Sequence, residues 1–414
     1  MIENNGAGAE HPYRWVIVGA SAIMMAFGIG LISAGITAFI IPLHAEFGWQ
    51  RGAVSFINTA GLVGVALGGI VMGRMADRTS ARRAGLIGAV SLGLSLLAAA
   101  RADALWQFYG LFFVAGFLGA GGLFTPLVAN VGNWFTRNVG LALGIASAGQ
   151  ALGQGGVPFA AALLVSGIGW RDAFTVMGTV TLAVLVPLAL LIRPPPKPPA
   201  AAMAGTAPDA DQAPVPIAPG AVVLWLSAAV VFCCITMSVP LMHLVPLAQD
   251  RGIALNEAAS IMFVMLLAGV VGRVAFGRLA DMIGPVRTYL VASAWQTVLV
   301  FAFLQLEELN AFYMFALIYG FGYSGVMTSI LVCVQMLTPV SRRAFALGIV
   351  VMFGWLGHGI GGYQGGYFFD LTGSYTLSYA NAAFAGIINL MLIGALYITL
   401  NRRRAALAVA GQAG

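Results

Sequence analysis

Apolar residues dominate the chain in long blocks, and polar residues gather between the blocks. A helix that crosses a bilayer needs about 20 mostly apolar residues. Blocks of that kind run near 15–41, 53–76, 84–101, 105–130, 139–166 and 172–192, and the pattern resumes near 220–247, 258–280, 286–305, 310–335, 344–368 and 376–400. The pattern predicts an all-α membrane protein with twelve transmembrane helices in two sets of six. Residues 193–219 hold half of the 18 prolines, including Pro194, Pro195, Pro196, Pro198 and Pro199, and read as a flexible linker. The expected organisation is a first bundle over 1–192, a linker over 193–219 and a second bundle over 220–414.

Composition agrees with a lipid-solvated protein. Of the 414 residues 60% are hydrophobic and only 8% are charged, too few to cover a soluble protein of this size. The 54 glycines lie mostly inside apolar stretches, as suits membrane helices that pack backbone to backbone. No basic cluster precedes the first apolar block, so that block is itself the membrane signal rather than a cleaved leader. Cys233, Cys234 and Cys333 sit in apolar segments without paired spacing, which supports neither a disulfide framework nor a metal site, and no cofactor is expected.

Charge placement predicts orientation. With both termini cytoplasmic, that side receives Arg74, Arg78, Arg82, Arg83, Arg342, Arg343 and the run 402–404, whereas Arg51, Arg101, Arg171 and Arg251 fall on the other side. The asymmetry fits a bacterial inner membrane and accounts for the net charge of +6 without a nucleic-acid partner.

The two sets also repeat one another. Gly73-Arg74-Met75-Ala76-Asp77 is echoed by Gly277-Arg278-Leu279-Ala280-Asp281, and Ala142-Leu143-Gly144-Ile145 by Ala346-Leu347-Gly348-Ile349. From 73 to 277 and from 142 to 346 the displacement is the same 204 positions. A shared offset marks a duplicated six-helix unit, and such architectures place their substrate site between the repeats.

The segment from Gly73 to Arg83 resembles the signature of the major facilitator superfamily between its second and third helices, with a weaker copy at 277–287. Asp77 lies at the C-terminal end of its helix, where the helix dipole disfavours a carboxylate. The resemblance implies that a neighbouring helix N-terminus and an arginine satisfy it, forming a cytoplasmic latch from Gly73, Asp77 and Arg78 with Gly277 and Asp281 of the second copy. A solvated loop charge is the plainer reading. Five further segments resemble the bacterial monocarboxylate transporters, a group related to oxalate/formate antiporters: Glu46-Phe47-Gly48-Trp49, Asn133-Trp134-Phe135, Gly169-Trp170-Arg171-Asp172, His243-Leu244-Val245-Pro246 and Asp370-Leu371-Thr372-Gly373.

Arg273 is the most informative single residue. It lies eight positions before Asp281, so at ~1.5 Å per residue it sits ~12 Å inside the boundary, near the middle of a ~30 Å core. A cation there requires water, a partner or a ligand. Acids occur only at the edges of the spans, Asp172 at the first position of one and Asp77 just past another, so none lies near Arg273's depth, the missing anion is read as the substrate, and guanidinium matches a carboxylate in bidentate geometry. Snorkelling or pairing with helix carbonyls is the alternative. The resemblance implies the same role, since this arginine is the carboxylate-binding residue of monocarboxylate transporters. Oxalate-exchanging relatives add a lysine in the eleventh helix. That helix here has no cation beyond its start, and one cation suggests one carboxylate, such as lactate or pyruvate.

His358 lies well inside the eleventh helix, with Gln154 its counterpart at the 204 offset. His358 is open to three readings: substrate contact, proton acceptor, or a helix-to-helix hydrogen bond. Tyr323, Phe353, Trp355 and His243 are wall or gate candidates. Two departures from the proton-coupled animal members stand out. The position four residues before Arg273 is Gly269 rather than an acid, and the first helix has no lysine. Proton symport therefore does not transfer from the resemblance, and protons remain one candidate co-substrate.

The expected protein is a monomeric secondary transporter in contact with lipid. An ATP-driven pump needs a phosphate loop ending in lysine, and Lys197 in the linker is the sole lysine. A membrane enzyme needs clustered catalytic groups, and the histidines are scattered. A sensor normally carries a soluble signalling domain. The nearest rivals are an oxalate/formate-type exchanger and a drug or neutral-solute exporter of the same superfamily.

Overall fold

The computed structural model describes residues 12–33, 35–195 and 216–412. Among the described residues, twelve helices are long and apolar enough to span a membrane: Tyr13–Ser33 (α1), Phe56–Arg78 (α2), Ala81–Ala99 (α3), Leu105–Asn133 (α4), Val139–Ile168 (α5), Trp170–Leu191 (α6), Pro219–Asp250 (α7), Glu257–Ile283 (α8), Pro285–Gln305 (α9), Leu309–Leu337 (α10), Val340–Thr372 (α11) and Thr376–Leu407 (α12). Among the described residues there is no strand. Backbone polar groups have no water to bond in hydrocarbon, so helices are the form that satisfies them within each segment. Residues 196–215, most of the expected linker, lie outside the described residues.

The first apolar block ends earlier than its composition suggests. α1 stops at Ser33 instead of running to 41, and a tight turn over Gly35–Phe39 leads into a short helix, Ile40–Phe47. The cause is a cap from the next helix. Nδ2 of Asn58 donates to the carbonyls of Ile32 at 2.7 Å and Ser33 at 2.9 Å, satisfying acceptors that a helix end leaves open.

The two sets of six pack in the same way. α1 lies along α5, α2 along α4 and α3 along α6; correspondingly α7 lies along α11, α8 along α10 and α9 along α12. Lipid supplies no hydrophobic force to drive these contacts, so they depend on close van der Waals approach at small residues. The sets meet along two seams, α2 against α11 and α5 against α8. On the second seam, a Cβ on Gly140 or Gly277 would strike the other's carbonyl oxygen.

Candidate functional site

Both seams are tied at one end of the bundle by a carboxylate reaching across to the other set. Oδ1 and Oδ2 of Asp77, at the end of α2, accept the backbone N–H groups of Ala344 at 3.2 Å and Phe345 at 2.9 Å, in the first turns of α11. Asp281, near the end of α8, accepts those of Gly140 at 2.6 Å and Leu141 at 2.8 Å, in the first turn of α5. Positions 77, 344 and 345 map onto 281, 140 and 141 by the same displacement of 204. An exposed helix N-terminus carries unpaired N–H groups and a positive dipole end, so it suits a carboxylate that its own helix disfavours.

Gly73 and Gly277 make these contacts possible, because a side chain on either would collide with the main chain of Ala344 or Gly140 respectively. No arginine stands among the two hydrogen-bond donors to Asp77. Arg78 instead lines, with Arg74 and Arg342, a surface cavity beside Asp77, and Arg74 stacks over the Phe345 ring at 5.4 Å. In the second copy, Arg278 crosses the seam to Oδ1 of Asn138 at 2.5 Å, holding the residue that precedes α5.

Arg273 lies further along the α5–α8 seam and is 5% exposed. Its Nη1 donates to the main-chain oxygen of Ser147 at 3.0 Å and to Oε1 of Gln150 at 3.2 Å, both on α5. Neither acceptor is charged, and Nε is buried without a partner. Tyr323 on α10 is buried, and its ring stacks on Tyr319 at 5.5 Å. Oγ of Ser324 donates to the carbonyl of Gly269 at 2.8 Å, and a Cβ at Gly269 would lie 3.2 Å from that of Ser324.

Gln150 is the site residue that sequence reasoning missed. It is 2% exposed and one helical turn from Gln154, which is only partly buried and is not the glutamine that meets Arg273. The available signal was a polar residue among the small residues Ser147, Ala148, Gly149 and Ala151 of α5, the face that a close helix neighbour would take.

The other candidates gather around a cavity of about 1040 Å³ between α2, α7 and α11, lined by Asn58, Leu62, His243, Trp355, His358 and Gln364 among others. Arg273, Tyr323, Gln154 and Phe353 lie outside that lining. Nε2 of His243 bonds the carbonyl of Gly362 at 2.9 Å and its ring packs on Tyr375 at 5.3 Å. His358 sits edge-on to Trp355 at 5.9 Å, and the buried indole N–H of Trp355 has no partner. Phe353 packs against the hydrophobic core. On α2 the lining starts at Leu67, ten residues before Asp77, and on α11 at Met352, seven residues after Phe345, and on both it continues away from the latch, so at ~1.5 Å per residue the cavity lies toward the opposite end of the bundle.

At that opposite end, the carboxylate of Glu46 accepts the indole N–H of Trp170 at 2.5 Å and Nη2 of Arg171 at 3.0 Å, and Asp103 accepts from Arg171 at 2.8 Å. The Trp170 bond, with Arg171 adding to it, holds the Glu46 carboxyl below the ordinary carboxylate range.

Two six-helix sets related by one offset, long enough to span a membrane and bordering a shared open cavity, have the organisation of a multi-pass transport protein. The family model described as Major Facilitator Superfamily matches residues 18–223 and again 224–413, and the chain belongs to that superfamily. It is 28% identical over 393 residues to Monocarboxylate transporter 13 of Bos taurus, covering 90% of this chain and 88% of that protein. It is also 28% identical over 394 residues to the 3-(3-hydroxy-phenyl)propionate transporter of Escherichia coli (strain K12), covering 91% of each. The proton:xylose symporter XylE shares the fold, with a TM-score of 0.69 at 13% identity, covering 93% of this chain and 96% of that one.

Proposed function

We propose that this transporter moves a small organic anion with a single carboxylate, such as lactate or pyruvate, by alternating access, with Arg273 as the carboxylate-binding residue. The observation that carries the reading is a buried guanidinium whose acceptors, Ser147 and Gln150, are both neutral. An uncompensated buried cation is costly, and a ligand carboxylate neutralises it with charge-assisted hydrogen bonds. One similar protein is named for monocarboxylates and another for 3-(3-hydroxy-phenyl)propionate, itself a single carboxylate, which supports a single anionic headgroup.

Tyr323 would orient the anion from α10, while His243, Trp355 and His358 form the wall of the entry cavity, with Phe353 behind them and Gln154 further along α5. A co-transported proton balances the substrate's charge most simply, and His358 is the titratable group on the cavity wall nearest the middle of α11. We place the latch end at the cytoplasmic face of a bacterial inner membrane, with both termini there and the chain acting as a monomer, because the arginine-rich segments gather at that end. The latch formed by Gly73, Asp77, Arg78, Gly277 and Asp281 then holds the outward-facing state.

The test is uptake of labelled lactate, pyruvate, oxalate, formate and 3-phenylpropionate into proteoliposomes, with and without an inward proton gradient. Saturable uptake of monocarboxylates over oxalate supports the reading, and a rate that rises with the gradient supports proton coupling. Transport of none of these anions contradicts it.

A further inference from the structure

The two seams are related by the 204 offset, yet among the described residues only α5–α8 carries a side-chain link at mid-depth. Across α5–α8 the contacts run without a break from Asp281 against Gly140 and Leu141, through Gly277 against Gly140 and Gly144 against the main chain of Arg273, to Arg273 against Ser147 and Gln150. Across α2–α11 the run begins alike, with Asp77 against Ala344 and Phe345, Gly73 against Ala344 and Gly348 against Gly69. There the likeness ends. The positions matching Arg273, Ser147 and Gln150 are Gly69, Val351 and Gly354, which offer no side-chain hydrogen bond. One seam therefore closes without such a link, so closure alone does not require the Arg273 contact on the other.

Resting on the reading of Arg273 as the carboxylate site, we propose that Arg273 with Ser147 and Gln150 is a substrate-released lock. In the empty carrier Nη1 of Arg273, on one half, holds the α5 backbone and the Gln150 amide oxygen of the other half. An incoming carboxylate competes for the same guanidinium. The Gln150 amide offers the guanidinium one neutral acceptor, whereas a carboxylate offers two charged oxygens in bidentate geometry, so the anion displaces Gln150 and the α5–α8 seam loses its mid-depth tie. Occupancy is thereby linked to seam opening, and the empty carrier changes state slowly. Gln150 is a positioning residue in this scheme and acts through Arg273.

The test uses electron–electron distance measurements between spin labels on Arg82→Cys and Met282→Cys, exposed at the latch end of the two halves. Without ligand, Gln150→Ala should raise the long-distance population about fivefold or more, the ratio expected on losing one net hydrogen bond. Gln150→Glu gives Arg273 a permanent carboxylate and should hold the short distance even with lactate or 3-phenylpropionate present. Gln150→Leu, close to the native volume, repeats the alanine result where alanine leaves a cavity. In transport, carboxylate on the far side of the membrane should accelerate uptake by the native protein, and Gln150→Ala or Gln150→Leu should reduce that acceleration. An unchanged distance distribution in both variants overturns the lock, whatever Arg273 binds. A seam that opens in Gln150→Ala but never responds to any carboxylate in the native protein overturns release by substrate, while loss of carboxylate uptake in Arg273→Ala separately decides whether Arg273 is the carboxylate site.

Discussion

Oδ1 of Asp281 accepts the backbone N–H of Gly140 at 2.6 Å, so the end of α8 in one half is held by the start of α5 in the other. Asp77 makes the equivalent contact with Ala344 at the longer distance of 3.2 Å. Hydrogen bonds to a charged acceptor are worth about 1.5–3 kcal/mol each. Asp281→Asn should therefore raise the fraction of molecules open at the latch end by about tenfold or more, and Asp77→Asn by less. Spin-label distances across that end measure both. Equal and negligible shifts would remove the latch from the account.

The seams depend on glycine in a graded way. Gly277→Ala places a methyl group against the Gly140 carbonyl and should destabilise by about 1–3 kcal/mol, lowering the thermal midpoint in detergent. Gly269→Ala meets the Ser324 Cβ at 3.2 Å, with no atom closer, and should cost less. Gly394 in α12 has open space at its Cβ, and Gly394→Ala should be neutral or stabilise by about 0.5–1 kcal/mol. That order of midpoints checks the packing.

The Glu46 cluster gives a pH dependence with a defined sign. The hydrogen bond from Trp170 and then Arg171 hold the folded carboxyl below its ordinary value of 4.5. A depressed pKa contributes stability that is present above the unfolded value and is lost as pH falls through the folded one. The thermal midpoint of the native protein should exceed that of Glu46→Gln at pH 7, and the gap should close once the pH drops below 4.5. A gap that stays constant with pH would show that the cluster acts through packing alone.

Much of this architecture was legible in the sequence because membrane spans and repeats are one-dimensional signals. The twelve apolar blocks and the offset linking Asp77 to Asp281 needed no knowledge of packing. The early end of α1 was hidden, since residues 36–41 are apolar apart from Thr37 and the cap comes from Asn58 on the next helix. Gln150 was hidden for a related reason. Which of Gln150 and Gln154 meets Arg273 depends on the rotation of α5 against α8, and that rotation is set by the glycine contacts of Gly140 and Gly144. The grouping of His243 with His358, and their separation from Arg273, likewise follows from how α7 and α11 pack.

Arg273 carries the central claim, and the most direct measurement is monocarboxylate uptake by the native protein, Arg273→Lys and Arg273→Ala in matched proteoliposomes. One to two lost charge-assisted hydrogen bonds correspond to about a 10- to 100-fold fall in kcat/KM. The account predicts a fall of at least that size in Arg273→Ala, with Arg273→Lys intermediate because it keeps the charge and loses the bidentate geometry. Native rates of carboxylate transport in Arg273→Ala would contradict it.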